Sequence, residues 1–234
     1  MIKFENTEVF NFEGAIRGMR NPLNSWDKSD STFCKRGADF CPLVLREIYP
    51  ACDCPKNGEF DEDYYCIGPN DLDLMKRLIK AGSDHRKFMR QIFVSVDITA
   101  PLYWWKEFDT YKVATVSNSC STMHKIHDKD FTREDFSYDH LLVDNMGLLD
   151  LIIVRLNICR ALYNRTKDKM YWWQMIQLLP SSYNQRRTIT LNYETLLNIY
   201  GSRRYHKLDE WSIGFMDWIA SLPYAKELII DREG

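Results

Sequence analysis

Three polar side chains late in the chain have the types and spacing to hold a ligand. Asn192 follows the strand-like Thr190-Leu191, Asn198 lies on the next helical stretch, and Arg203 lies five residues beyond that. A carboxamide donates and accepts hydrogen bonds at once. A guanidinium adds a permanent charge and planar donors that suit a carbonyl or a phosphate. Arg204 offers the same chemistry one residue on, and Asn198 would serve equally as a surface or packing residue of an amphipathic helix. A second constellation is Ser117, Ser119, Cys120 and Ser121, with Lys112 upstream. Its hydroxyls would line a polar pocket or simply face water. Cys120 is either an activated thiol or, more blandly, a small buried residue. Arg90 could meet a phosphate or be an ordinary surface arginine. Arg186 and Arg187 are neighbours on a strand and point to opposite faces, so only one of them could grip a phosphate. His124 and His127 are three apart and could share a metal on a helix, but no third ligand is indicated, and surface histidines are the simpler reading.

The cysteines invite a metal and then argue against it. Five of the seven (Cys34, Cys41, Cys52, Cys54, Cys66) fall in one third of the chain. Structural zinc sites use paired knuckles with two to four intervening residues, and only Cys52-x-Cys54 comes near that. The odd total also disfavours a disulfide framework. Free thiols and no metal are expected.

The elements that must position these residues read as follows. Phe4–Phe12 has the look of a strand and Glu13–Met19 of a short helix, broken at Asn21-Pro22. From about 24 to 70 the chain is rich in Ser, Asp, Gly, Pro and Cys and lacks a period. It reads as an irregular insertion with one short helix at Leu43–Ile48. Asn70-Asp71 is a plausible cap for a helix over Leu72–Ala81, closed by Gly82. Phe88–Ile98 has strand composition, and Pro101 opens a helix carrying Tyr103-Trp104-Trp105. The tryptophans there, with Trp172 and Trp173, are expected in the core or an interface. Leu141–Tyr163 is apolar around most of its circumference and predicts a long buried helix. Met170–Leu179 is another helix, stopped by Pro180, and Arg187–Leu191 is a strand. Tyr193–Tyr200 and Lys207–Ala220 are helices separated near Gly201. Strands and helices fall in blocks, which predicts an α+β fold with a mixed or antiparallel sheet.

At 234 residues the chain has room for one good core and is short for two, so a single domain over 1–234 is expected. A net charge of −2 and a pI near 6.2 argue against a dedicated nucleic-acid binder. Met1-Ile2-Lys3-Phe4-Glu5 lacks the apolar run of a signal peptide. The most apolar stretch is interrupted by Asp144, Asp150, Arg155 and Arg160, so no membrane span is expected. A cytoplasmic protein is the resulting expectation.

Two segments carry a resemblance to a known family. The run PSSYNQRRTITLNYETLLNIYGSRR from Pro180 is similar to the flavin-dependent thymidylate synthases, which have a Leu-Pro, a strand ending Thr-x-Asn, and a helix with a second Asn and an Arg. Thr190-Leu191-Asn192, Asn198 and Arg203 match those positions. A Trp follows at Trp211, displaced by one residue, which leaves Arg204 as the alternative arginine. The second segment, Thr110 to Met123, stands where the family has its Arg- and Ser-rich signature. Lys112 keeps a charge there and Thr115 a hydroxyl. Thr110, Asn118, Cys120 and Thr122-Met123 replace signature residues, and Ile176 replaces a further arginine.

The resemblance implies a thymidylate synthase-complementing-protein-like fold and a homotetramer with sites shared between subunits. It implies reductive methylation of dUMP to dTMP, with methylenetetrahydrofolate, FAD, and NADPH as reductant. Asn192 and Asn198 would meet flavin, with Arg90 and Lys112 nearby. Arg203 would act on the uracil. Arg203, Arg204, Ser117, Ser119, Cys120 and Arg187 would bind the nucleotide. The lost arginines leave two further expectations open: a relative acting on another pyrimidine nucleotide, and a non-catalytic nucleotide-binding or interaction protein.

Overall fold

The computed structural model describes residues 2–34 and 64–231. Four strands form one antiparallel sheet in the order β1-β4-β6-β5: β1 (Lys3–Phe10), β4 (Phe93–Pro101), β6 (Asn184–Asn192) and β5 (Val116–Ser119). The helices are α1 (Phe12–Arg20), α2 (Pro69–Lys80), α3 (Leu102–Phe108), α4 (Thr122–Lys125), α5 (Val143–Thr166), α6 (Lys169–Leu178), α7 (Tyr193–Arg203) and α8 (Met216–Ala220). The α+β expectation holds. By its contacts the chain divides into two compact units, each assembled from three separate segments. One unit comprises 1–7, 96–112 and 116–189; the other comprises 8–95, 113–115 and 190–234.

The sheet strands form for the reason their composition suggests. Along β4, Val94, Val96, Ile98 and Ala100 are all fully buried, every second residue facing one core. The strand begins later than its composition indicates, since Lys87–Gln91 winds into a 3-10 turn. In the first unit, Trp104, Trp105 and Phe108 of α3 are buried against one another, with Trp104–Phe108 centroids at 5.1 Å. The tail of that unit is a second cluster in which Leu149, Ile153, Leu156 and Cys159 of α5 meet Phe131, Phe136 and Met175. The long helix predicted from Leu141–Tyr163 is α5, and that stripe is the one it buries in the single chain. Trp172 is half-buried and Trp173 exposed.

In the second unit, the margins of the irregular insertion are ordered. β2 (Thr32–Cys34) pairs antiparallel with β3 (Tyr64–Cys66), Phe33 opposite Tyr65. The helix expected at Leu43–Ile48, and Cys41, Cys52 and Cys54, lie outside the described residues. Among the described residues, Cys66, Cys120 and Cys159 are free thiols and no cluster of metal-ligating side chains occurs. No described helix is long and apolar enough to cross a membrane.

The start of α2 corrects the sequence reading. Gly68 is its N-cap and Pro69 its first residue, while Asp71, expected as a cap, is completely buried inside the helix. Asp30 caps instead, its two carboxylate oxygens accepting from the Asn70 and Asp71 amides at 2.9 and 3.1 Å. Gly82 closes α2 as expected, with φ at +104°. Gly201 does not separate two helices: α7 runs through it to Arg203.

Candidate functional site

Helix α7 is built to present the end of the chain's polar triad. Asn192 is its N-cap, only 2% exposed, and its Oδ1 accepts from the Thr195 amide at 2.9 Å and the Thr195 hydroxyl at 3.1 Å. Such a cap contributes about 1 kcal/mol to helix stability, so Asn192 positions the others whatever else it does. Asn198 is exposed, and among the described residues its carboxamide is engaged by nothing. Arg203 closes the helix. Five residues apart, Asn198 and Arg203 leave α7 about 140° apart, on different faces.

The two candidate arginines are distinguished by what they touch. The Arg203 guanidinium lies 5.2 Å from the ring centre of Trp211, which is fully buried. Arg204 instead stacks at 5.0 Å on Tyr205 and 5.9 Å on Tyr200, and Tyr205 is 86% exposed. Trp211 stands in a π-helical turn, Glu210–Phe215. The arginine that faces the indole is therefore Arg203.

Arg90 is held near the root of the same helix. The 3-10 turn Lys87–Gln91 packs on α7, and it is clipped there by Arg86. That guanidinium donates to both oxygens of Glu194 at 2.9 and 3.1 Å, in a pair 17% and 11% exposed. The Tyr193 amide adds a bond to the Ile92 carbonyl at 3.0 Å. Arg90 itself is exposed, with one N–H reaching the Ser83 carbonyl at 3.3 Å. Neither Arg86 nor Glu194 was singled out from the sequence. Their separation of 108 residues leaves no local signal.

The remaining candidates belong to the other unit. Ser117 and Ser119 on β5, and Cys120 after it, are exposed at the edge of the sheet, as is Lys112. The preferred burial of Cys120 is overturned: its backbone is clamped, N–H to Arg186 O at 2.9 Å and C=O from Gln185 Nε2 at 2.8 Å, while the residue stays open. His124 is exposed, but His127 is half-buried with its ring edge-on to Tyr163 at 4.9 Å, a correction to two surface histidines.

Arg186 and Arg187 do diverge to opposite faces, and both are engaged. Arg187 stacks 4.2 Å over Trp105 and donates to Asp109 at 2.8 Å and Gln185 at 3.0 Å. Arg186 donates to Asp97 at 2.8 Å and pairs with Glu5 at 3.3 Å. Thr188, Arg186 and Asn6 together hold the Asp97 carboxyl far below the usual carboxylate range. Each arginine already has a carboxylate partner with which a phosphate would compete.

The loop before β5 holds a strained residue. Ala114 has φ +56°, a left-handed conformation that costs an L-residue about 1–2 kcal/mol. The neighbouring Val113 carbonyl accepts from the Thr195 hydroxyl at 3.3 Å, tying this loop to the start of α7. Ala114→Gly is expected to raise stability by about 0.5–1 kcal/mol after the extra chain entropy of glycine is deducted. Urea midpoints check it; a lower midpoint would mean the methyl is packed rather than strained.

The second unit also contains a buried ion pair, Arg20–Asp71, with a cleft on either side. One, about 500 Å³, is lined by Lys28, Asn70, Asp73 and Arg77. The other, about 460 Å³, is lined by Arg17, Trp26, Phe33 and Tyr65. Burial, with the Asp71 and Glu13 charges, pushes the Tyr65 phenol up to about 12, so it is a neutral hydroxyl in that cleft.

By sequence, no family model matches the chain, and no characterised protein does either. By structure, it is similar over its whole length to thymidylate synthase X from Helicobacter pylori. One such structure, with FAD and dUMP, shares 15% identity at a TM-score of 0.62, covering 99% of this chain and 97% of that one. A second, described as flavin-dependent and also complexed with FAD and dUMP, shares 15% identity at 0.63, covering 100% and 99%. The fold class defined by the sheet and its helices is thus that of the flavin-dependent thymidylate synthases. At this identity the likeness concerns the fold.

Proposed function

We propose that this chain is a flavin-dependent thymidylate synthase-type enzyme that methylates dUMP reductively, with methylenetetrahydrofolate as one-carbon donor and NADPH as reductant. The observation that supports it most is the end-to-end fold likeness to a protein solved with FAD and dUMP. The polar groups of α7 fit a flavin dinucleotide in kind. Asn198 has a carboxamide that no described residue engages, and Arg90 is an exposed cation suited to a diphosphate. FAD, when bound, supplies the hydride chemistry.

The chain's own residues bind and orient. Arg203, steadied by the Trp211 face, meets the uracil carbonyl where negative charge develops. Asn192 keeps the start of α7 in place, and Lys112, Ser117, Ser119 and Cys120 supply polar contacts to the nucleotide. Arg187 is better read as a residue that orders α3 and β6 than as a phosphate anchor, given its carboxylate partner. The proposed assembly is a homotetramer with shared sites. A second reading is a pyrimidine nucleotide other than dUMP; in either case the pairing of Arg186 and Arg187 with carboxylates favours a phosphate grip elsewhere.

The test is an absorption spectrum of purified protein before and after addition of FAD and dUMP, followed by a dTMP-formation assay. A bound-flavin spectrum that shifts with dUMP is expected. Failure to retain or take up flavin sinks the synthase reading. A shift with another pyrimidine nucleotide alone favours the second one.

A further inference from the structure

Helix α5 is apolar on two opposed faces, and among the described residues only one of them is buried. Leu149, Ile153, Leu156 and Cys159 are buried. On the other side Leu148, Leu151, Val154 and Ile158 are 57, 68, 57 and 44% exposed. Gly147, Leu151, Val154, Ile158 and Ala161 follow one another by four, three, four and three residues, the spacing of a helix-pairing seam. A lone solvated helix face has no physical reason to keep that pattern.

We infer that this seam receives the same seam of a second copy of the chain, the two α5 helices lying antiparallel about a two-fold axis at Val154–Arg155. Charge selects the direction. Asp144 opens the exposed face and Arg165 closes it, and neither is engaged among the described residues. Asp150 and Arg160, in contrast, are turned to their own chain, pairing with Arg133 and Asp130. Parallel helices would set Asp144 beside Asp144 and Arg165 beside Arg165. Antiparallel ones set each against its opposite, as a two-fold interface requires.

Size selects the register. With the axis at Val154–Arg155, Gly147 faces Leu162, Leu148 faces Ala161, and Leu151 faces Ile158. Gly147 and Ala161 each meet a leucine and the Arg155 stem lies beside Val154 at the axis, while a side chain at Gly147 would meet nothing of its own chain within 4 Å, so that space is open to a partner. Sliding one helix by a heptad in either direction would separate Asp144 from Arg165. The inference goes beyond the proposed assembly, which names neither surface nor axis, and it does not depend on the chemistry.

The experiment uses the full chain. Light scattering after size exclusion is run on the wild type and on Leu151→Lys with Val154→Lys, both at exposed positions, with circular dichroism to confirm folding. Val154→Cys and Leu162→Cys are then oxidised separately beside the wild type, which controls for native thiols. A wild-type oligomer whose mass at least halves in the lysine variant is expected, with Val154→Cys cross-linking into dimers and Leu162→Cys failing to. Cross-linking of Leu162→Cys would overturn the antiparallel arrangement. A wild-type oligomer that neither loses mass nor cross-links would overturn the seam while leaving the proposed assembly standing. A monomeric wild type would overturn both, and a flavin spectrum on that monomer would still report on the proposed chemistry separately.

Discussion

Arg203→Ala is expected to lower dTMP formation by about 100- to 1,000-fold, the loss typical of removing one donor aimed at developing charge. The effect should fall on kcat more than on KM, because the interaction strengthens as charge builds on the pyrimidine. Arg203 is suited to this by what surrounds it. Its guanidinium lies over the buried Trp211 ring at 5.2 Å, an arrangement that limits its rotamers. Arg203→Lys keeps the charge but loses the fork, so intermediate activity is expected. Arg204→Ala should stay close to wild type, since Arg204 stacks on the exposed Tyr205. Steady-state kinetics on the three variants decide the matter. Unaltered turnover in Arg203→Ala would remove Arg203 from the reaction, and a collapse confined to Arg204→Ala would move the role one residue along.

The largest effect on stability is expected at Arg20–Asp71. The two side chains are 4% and 0% exposed and meet at 2.6 Å. A dense hydrogen-bond network surrounds the pair: Asp71 accepts from the Ser29 and Ser31 hydroxyls at 2.8 and 2.6 Å and from the Asp30 and Ser31 amides. Arg20 donates to the Ser25 and Lys28 carbonyls at 3.1 and 3.0 Å. The pair thereby fastens the segment between α1 and β2 to α2. Removing either partner strands a buried charge, so Arg20→Ala or Asp71→Ala is expected to cost about 3–5 kcal/mol. Replacing both with Met and Leu should recover most of it, because an apolar pair of similar volume escapes the desolvation penalty. Urea denaturation of the three variants tests this; a loss below about 1 kcal/mol would show that the pair behaves as an exposed one.

Acid should expose the same network. Burial works to raise the Asp71 carboxyl, but hydrogen bonds from Ser31, Ser29 and Arg20 outweigh it and hold the group below its ordinary value. A carboxyl depressed in the folded state contributes stability that is complete above its unfolded value and fades as pH falls toward its folded one. Wild-type stability should therefore decline from about pH 4 downward, and Asp71→Asn should be less stable at neutral pH with a flatter acid limb.

Much of the frame was legible because it is written in short-range terms. The alternation of Val94, Val96, Ile98 and Ala100 is a period of two, which a half-buried strand requires and a helix cannot use. Pro180 after α6 and Gly82 after α2 act on hydrogen bonds within one turn of themselves, so their effects can be read without knowing the rest of the molecule. The order of these elements, with Asn192, Asn198 and Arg203 strung along one of them, followed from the amino acids alone.

What tertiary structure decided involves partners remote in the chain. Asp71 sits at a helix start and reads as a cap. It is an ion-pair partner because Arg20, 51 residues away, is folded against it. Arg187 reads as a phosphate grip until Asp109, 78 residues earlier, is seen in its fork. The choice between Arg203 and Arg204 rested on which guanidinium lies over the buried Trp211 ring, a contact that no residue type announces. Likewise the outward face of α5 has the same composition as its inward face, so only the folded chain could show which stripe it covers and which it leaves for another. Periodicity and capping are local energies and survive in a one-dimensional reading. Charge pairing, burial and register depend on distances in space, which only the tertiary structure sets.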